Sequence, residues 1–259
     1  MNDEFNASGG DIILRTQDPP NRGFQVHKLV LSLASPVFRD MFSIPQPGLN
    51  TSNADIEVID VTDPPRALDL VLRLIYPFSP PRVDSLDLLV EGLVITDKYN
   101  IEGARVRLRE SLNGFIKEAP LRVYAIAYRF GFDKEAEAAS SLTTGIYLPA
   151  LTGLPDDLKY VPALVYHKLI VLHEKYRDEI EDGLDAVLFE AACPECKVAK
   201  ALAEPRIRTK LARIIRRGEP VSVAGCVQEL GGFCTGTCMT KFIEGVGVKL
   251  SGKNIVIRS

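Results

Sequence analysis

Apolar and polar positions alternate along the first stretch of the chain and then settle into a helical period. Residues Asp11-Ile12-Ile13-Leu14-Arg15-Thr16 are rich in β-branched side chains and bounded by Gly9-Gly10 and Pro19-Pro20, which predicts a strand. Gly23-Phe24-Gln25-Val26-His27 alternates apolar with polar, and the Pro-Pro-Asn-Arg-Gly stretch between the two runs is turn chemistry, so the pair reads as a hairpin. A helix is predicted next. Leu29 with Leu33, and Val30 with Ala34, sit at i, i+4 and form one apolar stripe. Ser35-Pro36 ends that helix and opens another, with serine as N-cap and proline at the first helical position. The second short helix carries Val37, Phe38, Met41 and Phe42.

Residues 45–53 contain Pro, Gly, Asn and Ser and read as a loop, and 56–61 return to strand alternation. Asp63-Pro64-Pro65 opens a helix with Leu68, Val71, Leu72 and Ile75 on one face, closed by Pro77. Helices are expected from Ser85 to about Asn100 and from Ile101 to Ile116, the second with Arg105, Arg107, Arg109 and Lys117 on its outer faces. From Ala119 the pattern is helical over 121–130, 134–147 and 160–180, interrupted at Gly131 and at 149–155. His167 and His173 share the last of these helices but, six residues apart, face different sides.

The composition is that of an ordinary globular chain: 259 residues, 46% hydrophobic and 25% charged, with room for one large domain or two modest ones. The net charge of −3 hides an asymmetry. Residues 1–120 carry 12 basic and 17 acidic groups, residues 121–200 carry 9 and 13, and residues 201–259 carry 10 and 4. The tail is therefore compositionally distinct. Met1-Asn2-Asp3-Glu4 lacks the basic start of a secretory signal, and the longest apolar run, Leu88 to Ile95, is broken by Glu91 and Gly92. Five cysteines, all after residue 192, do not look like a secreted disulfide framework. An intracellular protein, cytoplasmic or nuclear, is expected.

The order of these elements resembles a BTB/POZ domain. Asp11-Ile12-Ile13-Leu14-Arg15, then Phe24-Gln25-Val26-His27-Lys28-Leu29-Val30-Leu31, then Ser35-Pro36-Val37-Phe38 with Met41-Phe42 is similar to the opening of that family. Ile75-Tyr76 at a helix end, and Asp97-Lys98-Tyr99-Asn100 leading into a new helix, are similar to its second half. The resemblance covers roughly residues 9–118, and the helices to about 147 are similar to the extension that follows many such domains. It implies an α+β fold, a small mixed sheet flanked by a helical cluster, and a role in protein–protein interaction. It also implies structural roles for Asp11, His27, Ser35 and Tyr99. Partner-facing candidates are Phe38, Met41, Phe42, Ile44 and Gln46, one side of their helix packing inward and the other facing a partner. His27 and Asp11 fall at the ends of neighbouring strands, where the imidazole could donate to the carboxylate or to a backbone carbonyl.

Family members that recruit a cullin scaffold for ubiquitin ligation usually carry a hydrophobic-x-Glu motif just after this helix. The matching stretch here, Ser43-Ile44-Pro45-Gln46-Pro47-Gly48, has no glutamate and two prolines that restrict its backbone. Strand-exchanged dimers of the family use a segment before the first strand. Only ten mostly polar residues stand there, so a homodimer through the first helices is the form of self-association left open.

In the C-terminal third, Cys193-Pro194-Glu195-Cys196 is a C-x-x-C pair, and Cys234 with Cys238 a C-x3-C pair. Two such pairs can chelate opposite edges of a tetrahedral zinc, although the 37-residue gap exceeds that of common zinc ribbons. Unligated, partly buried thiols are the competing reading, and no cofactor is required. Between the pairs, Ile207, Leu211 and Ile214 form a stripe at i, i+4, i+7 among Arg206, Arg208, Lys210, Arg213, Arg216 and Arg217. A basic amphipathic helix of this kind docks its stripe on its host, neutralises an acidic body, or meets phosphates. It holds no aromatic residue to stack on bases, so nucleic acid is not the expected partner. Gly247 to Asn254 nearly spells a phosphate loop but lacks the hydroxyl residue after Lys253 and the helix that must follow. No spacing pairs a nucleophile with a base, so no catalytic residue and no enzyme is expected.

The expected organisation is a polar leader (1–10), a BTB/POZ domain (11–118), a helical extension (119–190) and a cysteine-containing basic module (191–259). The expected function is non-enzymatic association with protein partners. Two alternatives stand beside it: a substrate adaptor of a cullin-type ubiquitin ligase, and a nucleic-acid-associated regulator with a zinc-stabilised tail.

Overall fold

The first strand runs where a close crossing of backbones permits it. In this computed structural model, which describes residues 5, 9–17, 21–44, 56–79, 81–144, 146, 148, 153–190, 221–222 and 257–258, β1 spans Ile12–Thr16 and β2 Gly23–Val26. Gly10, just before β1, lies so near the Val26 backbone that a Cβ there would sit 2.4 Å from the Val26 carbonyl oxygen. Only glycine fits that approach. The Gln25 side-chain amide donates to the Gly10 carbonyl at 2.8 Å and ties the crossing from the other side. β1 and β2 pair antiparallel from Ile12↔Val26 to Arg15↔Gly23, the predicted hairpin. β3 (Glu57–Val61) pairs with β1 in parallel, Ile12↔Glu57 to Thr16↔Val61, giving the strand order β2-β1-β3.

The alternation of the strands sorts their faces. Ile12, Leu14, Phe24, Val26 and Val61 are buried, whereas Arg15 and Asp60 meet on the outer face at 2.6 Å. Against the inner face lies a helical cluster: α1 (Lys28–Ala34), α2 (Pro36–Ser43), α3 (Pro65–Ile75), α4 (Leu86–Tyr99) and α5 (Glu102–Leu112). α3 is wider in its burial than the single stripe expected for it. Ala67, Leu68, Leu70, Val71, Leu72 and Leu74 are all buried, the mark of a helix at the centre of its unit. α4 starts at Ser85, whose hydroxyl accepts from the Leu88 N–H at 3.2 Å, and stops at Asn100, which is left-handed at φ 52°. α5 ends at Leu112 rather than Ile116, and a 3₁₀ turn, Asn113–Phe115, completes it.

Phe5, in the stretch read as a polar leader, is fully buried. Its ring meets Phe24, Tyr76 and Phe78 edge-on at centroid distances of 5.8, 5.5 and 5.1 Å. A lone aromatic among polar neighbours carries no periodicity, which is why the pattern missed it.

The chain divides into two compact units, 1–118 and 119–259. In the second, α6 (Pro120–Arg129) and α7 (Asp133–Thr143) are joined by Phe130-Gly131-Phe132. Gly131 takes φ +71°, and the Phe132 and Gly131 N–H groups return to the Ala127 and Tyr128 carbonyls at 2.8 and 3.2 Å. That is a Schellman turn, which requires a left-handed residue and buries both flanking phenylalanines. A 3₁₀ turn at Asp156–Tyr160 follows, held to α6 by Arg122–Asp157 at 2.7 Å and by the Arg129 guanidinium 3.7 Å from the Tyr160 ring centroid.

α7 stops at Thr143, earlier than predicted, and α8 (Ala163–Glu190) begins after Pro162 and continues well past residue 180. His173 is buried and lies 2.9 Å from the Thr143 hydroxyl. That hydroxyl donates its own proton to the Ser140 carbonyl at 2.6 Å, so the His173 Nε2–H is the donor between the two helices. His167 is exposed where His173 is buried, so the two face different sides as the spacing predicts. The C-terminal strands described are a two-residue parallel pair, Val221–Ser222 with Ile257–Arg258.

Candidate protein-interaction surface

α1 and α2 meet at Ser35 in an elbow whose joints are polar and whose walls are apolar. α1 is only seven residues long, so its orientation depends on how its first turn is held. The Asp11 carboxylate accepts from the Lys28 N–H at 2.8 Å, satisfying one of the open donors of the first turn. The His27 N–H donates to the Tyr76 hydroxyl at 2.7 Å, and the His27 Nδ1 lies 3.2 Å from the same oxygen. Asp11 and His27 thus do lie at neighbouring strand ends but do not pair with each other. The imidazole meets the phenol, and the carboxylate caps the helix. Burial raises the Tyr76 phenol above its ordinary value, partly offset by the bond from His27, so the hydroxyl stays neutral.

Held in this way, α1 turns Leu31 inward and Leu29 and Leu33 outward. Leu31 is fully buried, whereas Leu29 and Leu33 are 69% and 79% exposed. The expected stripe therefore exists but points to solvent. The period shows that two positions share a face, not which face the core takes. Val37, two residues beyond the elbow, is also exposed.

α2 packs the opposite way. Ser35 caps it by accepting from the Phe38 N–H at 3.1 Å, and its hydroxyl donates to the Tyr99 carbonyl of α4. Phe38 is 1% exposed and stacks on the Tyr99 ring at 4.5 Å with an interplanar angle of 16°. It belongs to the core and not to a partner surface, which corrects its expected role. Burying a side chain of this size contributes about 1.5–3 kcal/mol. Met41 and Phe42 are half-buried, and Ile44, just past the helix, is 66% exposed. The Lys28 ammonium lies 5.7 Å from the Phe42 ring centroid and ion-pairs with Glu57 of β3. Gln46 lies outside the described residues, as do Cys193, Cys196, Cys234, Cys238, Arg206, Lys210, Arg213 and Arg217.

Behind the elbow sits a charged knot that sequence reasoning did not find. The Tyr99 hydroxyl donates to Asp63 Oδ2 at 2.6 Å, and the Lys98 ammonium reaches both Asp63 oxygens at 2.9 Å. Asp63 is 5% exposed, so these donors compensate a carboxylate removed from water. Burial first, then the bond to Asp63 and its charge, hold the Tyr99 phenol far above its ordinary value. The available signal was the Asp63-Pro64-Pro65 start of α3, which marks a turn without saying what its carboxylate meets. Among the described residues no group of His, Cys, Asp and Glu side chains could hold a metal ion, and no helix is long and apolar enough to cross a membrane.

Comparison with known proteins picks out the same first part of the chain. Residues 2–114 match the family described as the BTB/POZ domain. TD and POZ domain-containing protein 5 of Mus musculus is 29% identical over 89 residues, 34% of this chain and 25% of that protein. The chain thus matches about a quarter of the length of this curated relative. With a three-stranded mixed sheet under a helical cluster, residues 2–114 of the chain are a BTB/POZ domain, a protein-interaction module.

Proposed function

We propose that the chain is a non-enzymatic association protein whose BTB/POZ domain self-associates, or pairs with a like domain, through the outer face of α1. The observation that carries this reading is the exposure of Leu29 and Leu33, two large apolar side chains on one short helix whose ends are both fixed. Two exposed leucines at i, i+4 share one helix face, the kind of apolar surface that marks an interaction site. Sedimentation of the full chain from roughly micromolar to hundred-micromolar concentration tests it. The expected result is a dimer that Leu29→Glu with Leu33→Glu converts to single chains. A native chain that sediments as one copy throughout, or a dimer indifferent to both substitutions, overturns it.

A second reading, an adaptor for a cullin-type ubiquitin ligase, draws support from Ile44 standing exposed beside half-buried Met41 and Phe42. The glutamate usual in such adaptors is absent from 43–48. Calorimetric titration with the N-terminal part of a cullin decides it. Binding that disappears with Ile44→Asp supports the adaptor role, and silence at high protein concentration removes it.

A further inference from the structure

The two bonds that fix the start of α1 lead back to Asp11 and to Phe5. The first is direct, the Asp11 carboxylate accepting from the Lys28 N–H. The second runs through Tyr76, whose hydroxyl accepts from the His27 N–H. The Tyr76 ring is buried and meets two phenyl rings, Phe78 stacked on it at 5.5 Å and Phe5 edge-on at 5.5 Å. Phe5 is itself completely buried. β2 and the end of α3 build its site from Phe24, Arg73, Tyr76 and Phe78, with the Arg73 guanidinium 5.7 Å from the Phe5 ring centroid. Its three aromatic contacts have interplanar angles of 81°, 83° and 80°, the arrangement in which a ring edge meets a ring face.

Between Phe5 and Asp11 the chain is tied to the sheet at Gly10, by its approach to Val26 and by the Gln25 amide on its carbonyl. The stretch before β1 therefore has one hold on α1 through Asp11 and a second through Phe5 and Tyr76. α1 depends on such holds. It is seven residues long, where an isolated helix is marginal below about 12–15, and Leu31 is its single buried residue. The His27 side chain makes no capping bond to it. At the far end the Ser35 N–H returns to the Leu31 carbonyl at 2.9 Å, so that end is closed by local backbone. The near end is closed by groups that the stretch before β1 supplies or positions.

We propose that the stretch before β1 is a latch on α1, with Phe5 as its positioning residue. Seated, Phe5 fixes the Tyr76 ring so that the hydroxyl holds His27. Withdrawn, it releases the first turn of α1 and with it the face that carries Leu29 and Leu33. A stretch seated by one ring opens more readily than the sheet and helices it lies on. The order of the exposed leucine face is thus set from before β1, whatever that face binds.

Amide hydrogen exchange of the full chain tests this, read at His27, Lys28 and Leu31, whose N–H groups donate to Tyr76, to Asp11 and to the His27 carbonyl. Phe5→Ala should speed exchange at these three positions about tenfold or more. Leu93→Ala, at a fully buried position of α4, is the control. It lowers the stability of the whole unit but should leave the three amides unchanged, because the latch opens without unfolding α4. Should Phe5→Ala fail to fold, Phe5→Leu, which keeps an apolar side chain and loses the ring edges, should give the same pattern at smaller amplitude. In a Tyr76→Phe chain, which retains the ring but has no hydroxyl to hold His27, adding Phe5→Ala should speed His27 exchange by less than about threefold, the non-additivity of residues acting through one another. Repeating the series with Leu29→Glu and Leu33→Glu in place removes any protection by a second copy, so the outcome is independent of self-association. Unchanged exchange in the Phe5 variants, equal acceleration by Phe5→Ala and Leu93→Ala, or an undiminished effect of Phe5→Ala on top of Tyr76→Phe each overturns the proposal.

Discussion

Helices α1 and α2 are neighbours of similar length and similar apolar content, joined at one serine, yet they stand in opposite relation to the core. α1 presents two leucines to solvent and buries one, whereas α2 buries Phe38 against Tyr99 and leaves its charged residues Arg39 and Asp40 outside. Hydrophobicity does not distinguish them. What differs is the polar group at each start. α1 is pinned by Asp11 and by the Tyr76 hydroxyl at His27, and α2 by the Ser35 hydroxyl, which reaches both Phe38 and the Tyr99 carbonyl. In short helices the cap and its tertiary bonds set the rotation, and the apolar residues follow it.

The sharpest way to break this comparison is to truncate one aromatic residue on the inner side. Phe38→Ala should destabilise the first unit by about 3–5 kcal/mol, the usual cost of a large cavity in a packed core. Urea unfolding followed through a probe in that unit measures it. A loss no larger than that of an exposed residue would show that the Phe38–Tyr99 stack does not hold the elbow.

Tyr99→Phe keeps the stack and removes only the hydroxyl. The Asp63 carboxylate then loses one donor while Lys98 remains, and a hydrogen bond to a charged group is worth about 1.5–3 kcal/mol. The variant also has a signature in pH. The folded-state pKa of Tyr99 is raised above its unfolded value near 10, so the folded state holds the phenolic proton more tightly. The contribution is complete below pH 10 and is lost as pH climbs beyond it. Native protein should therefore lose stability on the alkaline side more steeply than Tyr99→Phe. Parallel alkaline branches for the two proteins would deny the buried Tyr99–Asp63 bond.

Ser35→Ala comes next in size. It removes the N-cap of α2 and the bond to the Tyr99 carbonyl, for an expected loss of about 1–2 kcal/mol in the same unfolding measurement. Ser35→Thr keeps the hydroxyl and should recover most of the loss. Equal losses from the two substitutions would assign Ser35 a packing role in place of a capping one.

Much of this was legible from residue order. The hairpin, the Ser35-Pro36 break and the helix from Ser85 to about Asn100 are local signals, each written near the feature it specifies. The contacts that escaped are long-range. Asp63 meets Tyr99 across 36 positions and His27 meets Tyr76 across 49, and no spacing rule reaches that far. Phe5 escaped because a single buried ring has no period, and the stripe of Leu29 with Leu33 was legible without the side it faces, because periodicity leaves the direction of a face open.

The smallest expected change completes the comparison, and its smallness is what makes it informative. Leu33→Ala removes three heavy atoms from a side chain that is 79% exposed, so little contact is lost and almost no cavity remains. Folding stability of the isolated chain should move by no more than about 0.5 kcal/mol, the range of ordinary surface substitutions. If the proposed α1 interface forms, the same substitution should weaken the assembly at concentrations where copies meet, because the proposal has a second copy bury the leucine. Phe38→Ala and Leu33→Ala then separate cleanly, one acting on folding at every concentration and the other only where copies meet. A Leu33→Ala chain that is destabilised equally when dilute and when concentrated would mean that α1 belongs to the core after all.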